Sequence, residues 1–326
     1  MTEGTLRRGD LVEIRGPAEI LATLDEHGAH EGLPFMPEMM AYCGRRLPVD
    51  RRADKICDTT QYTGSRQLPN AVLLADVRCN GSAHGGCQAE CRMFWKNAWL
   101  RKVAADDPPS PPPSQADLQR LSERLAQNLK RMVSVGSAAE ERWSCQLTQL
   151  LDATRHVRLW DPRSYLGEYV NGNVSLGHCM RITARAAVEE PLRRLGIKPM
   201  NFRGTATSPP VTEPLNLQPG EWVQVRSLEE ILPTLNARGF NRGLWFDREM
   251  AVYCGGTYRV WRRITQFIDD ARDNGKMIEM KSDAITLENV FCTGDHSPRR
   301  WFCPRQATPY WRECWLRRVP APGGQT

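Results

Sequence analysis

Thiols are the side chains in this sequence best placed to do chemistry. Of the eleven cysteines in the chain of 326 residues, five fall at Cys43, Cys57, Cys79, Cys87 and Cys91. With His84, the last of these give the spacing Cys-x4-His-x2-Cys-x3-Cys. A second group stands at Cys254, Cys292, His296 and Cys303. In a reducing compartment, clustered thiols ligate metal or do redox chemistry more often than they form structural disulfides. Zinc in structural sites takes four nitrogen or sulfur ligands in a tetrahedron, often as pairs from two segments. When the two groups are aligned, three cysteines coincide: Cys43/Cys254, Cys79/Cys292 and Cys87/Cys303. These are the expected common ligands. Cys91 or His84 could complete the first set, and His296 or Cys145 the second. Zinc is the expected metal; iron or an iron–sulfur cluster is the alternative that thiolate softness allows. A site with three cysteines and an open position could polarise a water or a substrate. The simpler account is that buried cysteines pack a repeated core as small hydrophobes. Cys57, whose counterpart is Ile268, and Cys314, whose counterpart is Ala98, are expected to be ordinary.

Other residues carry weaker chemistry. Glu38 and Tyr42, like Glu249 and Tyr253, are four apart. On an α-helix each pair would share a face beside a cysteine, offering an acid or base next to a metal. A buried hydrogen bond that the fold repeats is the plainer reading. Arginines alternate with aromatics from Arg299 to Val319, as on surfaces that stack nucleic-acid bases. The net charge of +6 is small for the chain length, so nucleic acid is not the expected partner. His156 and His178 have no partner visible in the sequence. No Gly-rich phosphate loop, GxSxG elbow, HExxH or dinucleotide fingerprint is present, which disfavours the common cofactor enzymes.

The elements that must position these groups come as a repeat. Gly9–Gly44 aligns without a gap on Gly220–Gly255, and the register continues through Val49/Val260 and Arg52/Arg263 to Asp58/Asp269. The copies meet again at Trp95–Val103 and Trp311–Val319. Alternation predicts opening strands at Asp10–Arg15 and Glu221–Arg226. Ser227 with Glu230 reads as a capping box, and Pro37 and Asp247 suit the starts of short helices ending at Tyr-Cys-Gly. Strands are expected at AVLLADVRC, AITLENVFC and the closing WLRKV or WLRRV. The fold class this implies is α+β: two homologous small β-barrel-like domains of the SH3 or KOW kind with short helical inserts, joined by a helical bridge. The boundaries are a first domain at 1–103, a proline-rich linker at 104–114, a bridge and second linker at 115–212, a second domain at 213–320 and a tail at 321–326. Within the bridge, Leu118, Leu121, Leu125 and Leu129 predict an amphipathic helix from Gln115 closed by Gly136, and a second helix is expected near Leu176–Leu195. No apolar run approaches the about 18 residues of a membrane helix, and the start lacks the apolar stretch of a secretory signal. A cytoplasmic protein with no membrane partner is expected; the oligomeric state is left open.

Four stretches, GLPFMPEMMAYCG, RCNGSAHGGCQAEC, GNVSLG and WFCPRQATPYWRECWL, resemble the signatures of a bacterial family of tandem-repeat, cysteine-rich proteins. The resemblance covers nearly the full length. Members of that family tend to be encoded beside polysaccharide or specialised-metabolite biosynthesis genes, so it implies a biosynthetic setting and carries no reaction with it. The expectation is a metalloenzyme or essential factor acting on a small-molecule substrate. A non-catalytic zinc-stabilised module that binds a biosynthetic protein partner is the alternative.

Overall fold

The computed structural model describes residues 5–60, 64–158, 161–208, 213–271 and 274–322. The fold is mixed α+β, built mostly from strands with few helices. In the first copy the alternating Leu11–Ile14 becomes β1, whose Val12 and Ile14 are fully buried. Next come β2 (Arg46–Arg52), β3 (Ile56–Cys57), β4 (Ser65–Gln67), β5 (Ala71–Arg78), β6 (Arg92–Lys96) and β7 (Leu100–Lys102). Five of these form an antiparallel half-barrel sheet in the order β6-β5-β2-β1-β7. β3 and β4 make a separate hairpin between β2 and β5 in the chain.

The bridge departs from the sequence expectation. Its first helix spans only Gln115–Ala126, capped by the Ser114 hydroxyl. Leu121 and Leu125 press it onto the first core. The chain then turns to β8 (Lys130–Val135), which pairs with β9 (Ala138–Trp143). Gly136, expected to end the helix, takes a φ of +63° in the turn between these strands, a conformation glycine adopts without steric cost. Residues 155–157 form β10, which pairs with β4. Helices follow at Pro162–Val170 and Leu176–Arg194, the second where expected. The middle of the second linker, 209–212, and the tail from 323 lie outside the described residues. Among the described residues no helix is long and apolar enough to cross a membrane.

The second copy repeats the first except at the counterpart of β6, which is reduced to an isolated bridge between Ile285 and Trp311 and leaves a four-stranded sheet. β11 (Trp222–Val225) lies between β12 (Thr257–Arg263) and the closing β16 (Leu316–Arg318). β13 (Gln266–Ile268) and β14 (Met277–Glu279) make the hairpin, and β15 (Ile285–Leu287) pairs with β12. Val12 faces Leu47 and Lys102, and Val223 faces the counterparts Tyr258 and Arg318. Even the irregularity recurs, between Val49 and Arg51 in one copy and between Val260 and Arg262 in the other. Each core closes on one aromatic trio. Phe35 meets Trp95 and Trp99 edge-on at 6.2 and 5.1 Å, and Phe246 meets Trp311 and Trp315 at 6.2 and 5.2 Å.

The copies also exchange their hairpins. Lys55, just before β3, donates from Nζ to the Trp301 carbonyl at 2.6 Å. Its counterpart Gln266 donates from Nε2 to the Gly85 carbonyl at 2.8 Å. The acceptors are themselves counterparts, each two residues before the shared Cys87 or Cys303. Between the hairpins, Thr59 donates to Asp270 across equivalent positions at 2.6 Å. Lys55 is 1% exposed and lies 4.4 Å from the Tyr165 ring centroid. Burial lowers its pKa, against the opposing charges of Glu168, Cys303 and Glu190. Removing this buried donor leaves the Trp301 carbonyl unpaired, so Lys55→Ala is expected to lower the unfolding free energy by about 2–4 kcal/mol. Lys55→Gln restores the side chain used in the other copy and should lose less than half as much. Urea denaturation of the two variants checks both numbers.

Candidate metal centre

A tight loop gathers the first set of thiols. Cys79 leaves β5 and its amide donates to the Cys91 carbonyl at 2.8 Å. Gly81 turns the chain with a φ of +67°, and its carbonyl accepts from the His84 and Gly86 amides at 3.0 Å each. A Cβ at Gly81 would lie 2.0 Å from the Cys87 carbonyl oxygen, so only glycine lets Cys79 and Cys87 fold this close. The bridge delivers a fourth thiol at Cys145. Next to it, Gln146 accepts from the Phe94 amide at 2.8 Å and donates to the Phe94 carbonyl at 2.9 Å, pairing with the edge of β6 as a strand would. Cys79, Cys87, Cys91 and Cys145 thereby line one cavity of about 30 Å³, room for a single atom-sized guest. Burial pushes the Cys79 and Cys91 thiols well up and Cys145 up to about 11, and each is raised further by the other thiols nearby.

His84 also borders the cavity, but its ring is committed elsewhere. Nδ1 lies 2.8 Å from Glu38 Oε1 and Nε2 lies 3.1 Å from the Ser144 carbonyl. Glu38 also accepts from the Ala83 amide at 3.1 Å. Burial raises the Glu38 pKa, yet the hydrogen bond and charge of His84 outweigh it and the net shift is downward. Glu249 does the same task in the second copy, accepting from Thr293, His296 and Ser297 amides at 3.1, 2.7 and 2.7 Å. Tyr253 exchanges hydrogen bonds with the Phe291 backbone, so Glu249 and Tyr253 brace the two neighbours of Cys292. The helices carrying them, Pro37–Tyr42 and Arg248–Tyr253, are 3₁₀. On a 3₁₀ helix positions three apart eclipse; in the first copy Tyr42 turns to the core, its ring edge-on to Trp95 at 6.0 Å. These carboxylates position loops.

A second thiol group draws on both copies. Cys292 and Cys303 are held as in the first loop: the Cys292 amide donates to the Ala307 carbonyl at 2.9 Å, and a Cβ at Gly294 would lie 2.5 Å from the Cys303 nitrogen. The third member is Cys57 of β3. Its amide donates to Cys303 Sγ at 3.2 Å and its thiol is hydrogen-bonded to that of Cys303. Arg305 reaches Cys57 Sγ at 3.6 Å and Thr59 Oγ1 at 2.9 Å. Within this pair Cys57 is the more acidic, because the Cys303 hydrogen bond and the Arg305 charge favour its thiolate; burial pushes Cys303 and Cys292 up. The reciprocal contact exists in the first group, where the Ile268 amide donates to Cys87 Sγ at 3.3 Å.

The structure therefore rearranges the ligand sets expected from alignment. It does not bring Cys43 or Cys254 to the other thiols. Each caps the C-terminal end of its 3₁₀ helix and packs against its own core, and burial alone moves both up to about 11. His296 points to the bridge, with Nδ1 3.0 Å from Arg185 Nη1. Cys145 joins the first group rather than the second, and Cys57 leaves the ordinary class. His178 contacts Asp295 at 3.0 Å, and Cys314 packs against the second core. One signal for Cys57 was present in the sequence: the first copy holds a spare thiol where the second is short of one. Among the described residues, no three His, Cys, Asp or Glu side chains form a group preassembled to hold a metal ion, so the thiols converge without making a ready coordination shell. Neither the known protein families nor the curated proteins contain a match to the chain.

Gly81→Ala should cost about 2–4 kcal/mol, through both a left-handed backbone and the clash with Cys87. Gly9→Ala, with a φ of +87° and open space around it, isolates the backbone part and should cost only about 1–2 kcal/mol. Equal thermal stability of the two variants would show that the Gly81–Cys87 approach does not matter.

Proposed function

We propose that the chain is a zinc-stabilised protein in which Cys79, Cys87, Cys91 and Cys145 hold one metal ion, and that it serves polysaccharide or specialised-metabolite biosynthesis as a binding module. The observation that carries this reading is the convergence of four thiols, three from one folded loop and one from the bridge, on a single atom-sized cavity. Four thiolates fill a tetrahedron and leave no position for substrate, the arrangement of a structural site. The metal's role here is to tie the bridge to the first copy, adding to the hydrogen bonds of Gln146 with Phe94 and Pro34 and of His84 with the Ser144 carbonyl. Each copy is, on this reading, a small barrel of the SH3 or KOW kind whose free surface takes a biosynthetic protein partner. The motif resemblance supports the setting; the closed site supports a non-catalytic role for this metal.

The chemistry is proton-coupled. Metal binds thiolates, and the Cys79, Cys91 and Cys145 thiols are all raised, so without metal they are protonated at neutral pH. Zinc must displace those protons, and its affinity should rise with pH by up to about tenfold per unit for each thiol deprotonated. Competition with a chelator at several pH values measures this slope; a flat profile would rule out thiolate ligation. Protein purified without added metal should carry zinc, and Cys87→Ser and Cys145→Ser should each lose one equivalent and melt lower. Absorption in the visible would assign an iron–sulfur cluster instead. Wild-type protein free of zinc and iron, with both variants as stable as it is, would overturn the metal reading.

A further inference from the structure

We infer that Cys57, Cys292 and Cys303 form a second metal site between the two copies, with three thiolates and an open fourth position that takes a small anionic ligand. The site is separate from the one at Cys145 and stands or falls by different residues. Three observations carry it. First, the loop geometry of the first group recurs around Cys292 and Cys303, with the same amide-to-carbonyl closure and the same close glycine. Second, the exchanged hairpin puts Cys57 against Cys303, where the first group has Ile268 against Cys87. A thiol is thus supplied from the other copy at the one place where the second group is short. Third, the counterpart of Cys91 is Ala307, because the Cys79 amide pairs with Cys91 O and the Cys292 amide with Ala307 O. The position that Cys91 fills in the first group is left without a protein donor in the second.

The surroundings fit a metal with three thiolates. A divalent cation with three thiolates carries one net negative charge, and two guanidinium groups face it, Arg305 buried and Arg300 half-buried. Arg305 contacts Cys57 Sγ, and the charge of Arg300 acts on both Cys57 and Cys292. Arg300 is also part of the wall of a cleft of about 720 Å³, together with Arg299, Trp245, Phe240 and Phe267. Arg300 lies over the Trp245 ring and pairs with Asp247 at 2.6 Å. In the same wall Arg299 Nε and Trp245 Nε1 are buried and have no hydrogen-bond partner among the described residues. Buried donors of this kind call for an acceptor, and an anionic oxygen group on a small molecule supplies one. The volume suits a metabolite-sized guest, and Arg300 connects the cleft to the thiols. An exchangeable fourth position here is the feature that the closed first site lacks.

Cobalt(II) alone is the probe, since its visible spectrum reports tetrahedral thiolate coordination. Titration of the full chain should load two equivalents in wild type and one in either Cys57→Ser or Cys145→Ser. Cys57→Ile, which installs the residue of the other copy, should also load one while keeping the wild-type melting curve of the metal-free protein. Azide should then change the cobalt spectrum of Cys145→Ser, which retains only the three-thiolate site, and leave that of Cys57→Ile unchanged. Two equivalents persisting in Cys57→Ile would overturn the site, and a spectrum of Cys145→Ser indifferent to azide would overturn its open position. A wild type that loads a single equivalent, kept in Cys145→Ser and lost in Cys57→Ile, would sink the first site and leave this one standing.

Discussion

The structure depends on a reciprocal exchange: each copy lends its hairpin to close the other copy's cysteine loop. The Cys57 amide meets Cys303 Sγ and the Ile268 amide meets Cys87 Sγ. Beside them, Lys55 and Gln266 satisfy the Trp301 and Gly85 carbonyls. These carbonyls belong to loops bent by left-handed residues, Gly86 in one copy and Phe302 in the other. The Trp301 carbonyl is buried, where an unpaired acceptor costs about 1–3 kcal/mol, whereas the Gly85 carbonyl lies at an exposed position. Separating the copies would leave both loops short of donors. The two cores are distinct clusters, but the polar layer between them is shared.

That shared layer explains how two similar scaffolds hold unlike groups of thiols. The backbone is constrained by the repeat, since strands, bulge and glycine turns coincide. The side chains that enter the layer are not. Cys91 stands opposite Ala307, Cys57 opposite Ile268, Lys55 opposite Gln266, and Ala89 opposite Arg305. Each difference changes the number of thiols or the charge near them without moving the chain. The bridge adds the last asymmetry, because Cys145 reaches only the first group.

Much of this was legible in the sequence, and the limits of legibility have physical causes. Period-two alternation marked β1 and β11, whose apolar residues Val12 and Ile14, and Val223 and Val225, enter the two cores. Ser227 and Glu230 form the expected capping box, since caps are local. The paired tryptophans closed both cores as the alignment required. The grouping of the thiols did not follow, because an alignment pairs each residue with its counterpart and is silent on which copy's side chain it meets in space. Cys43 and Cys254 share a position for the same reason that Phe35 and Phe246 do: each packs a core. Helical spacing misled at Glu38 and Tyr42, where a short 3₁₀ element replaced the α-helix on which a four-residue interval has meaning. It misled again at Gly136, where the residues after Asn128 alternate into a hairpin instead of continuing the leucine stripe.

Arg305 shows why the two thiol groups belong to one electrostatic system. It is 7% exposed and its charge acts on Cys57 and Cys303 in one group and on Cys91 in the other. Burial alone would disfavour that charge; the facing thiols and Asp270 outweigh it, and the net effect raises the pKa. A lysine in such a place could shed its proton, whereas guanidinium stays charged when buried and offers several donors in a fixed plane. Those donors are used: Arg305 bonds the Cys57 carbonyl, the Cys57 sulfur and the Thr59 hydroxyl. One side chain of the second copy therefore fixes the first copy's hairpin and favours thiolate on both sides of the shared layer. The cation that holds the exchange together also opposes the burial that raises Cys303 and Cys91, and at Cys57 the net shift is downward.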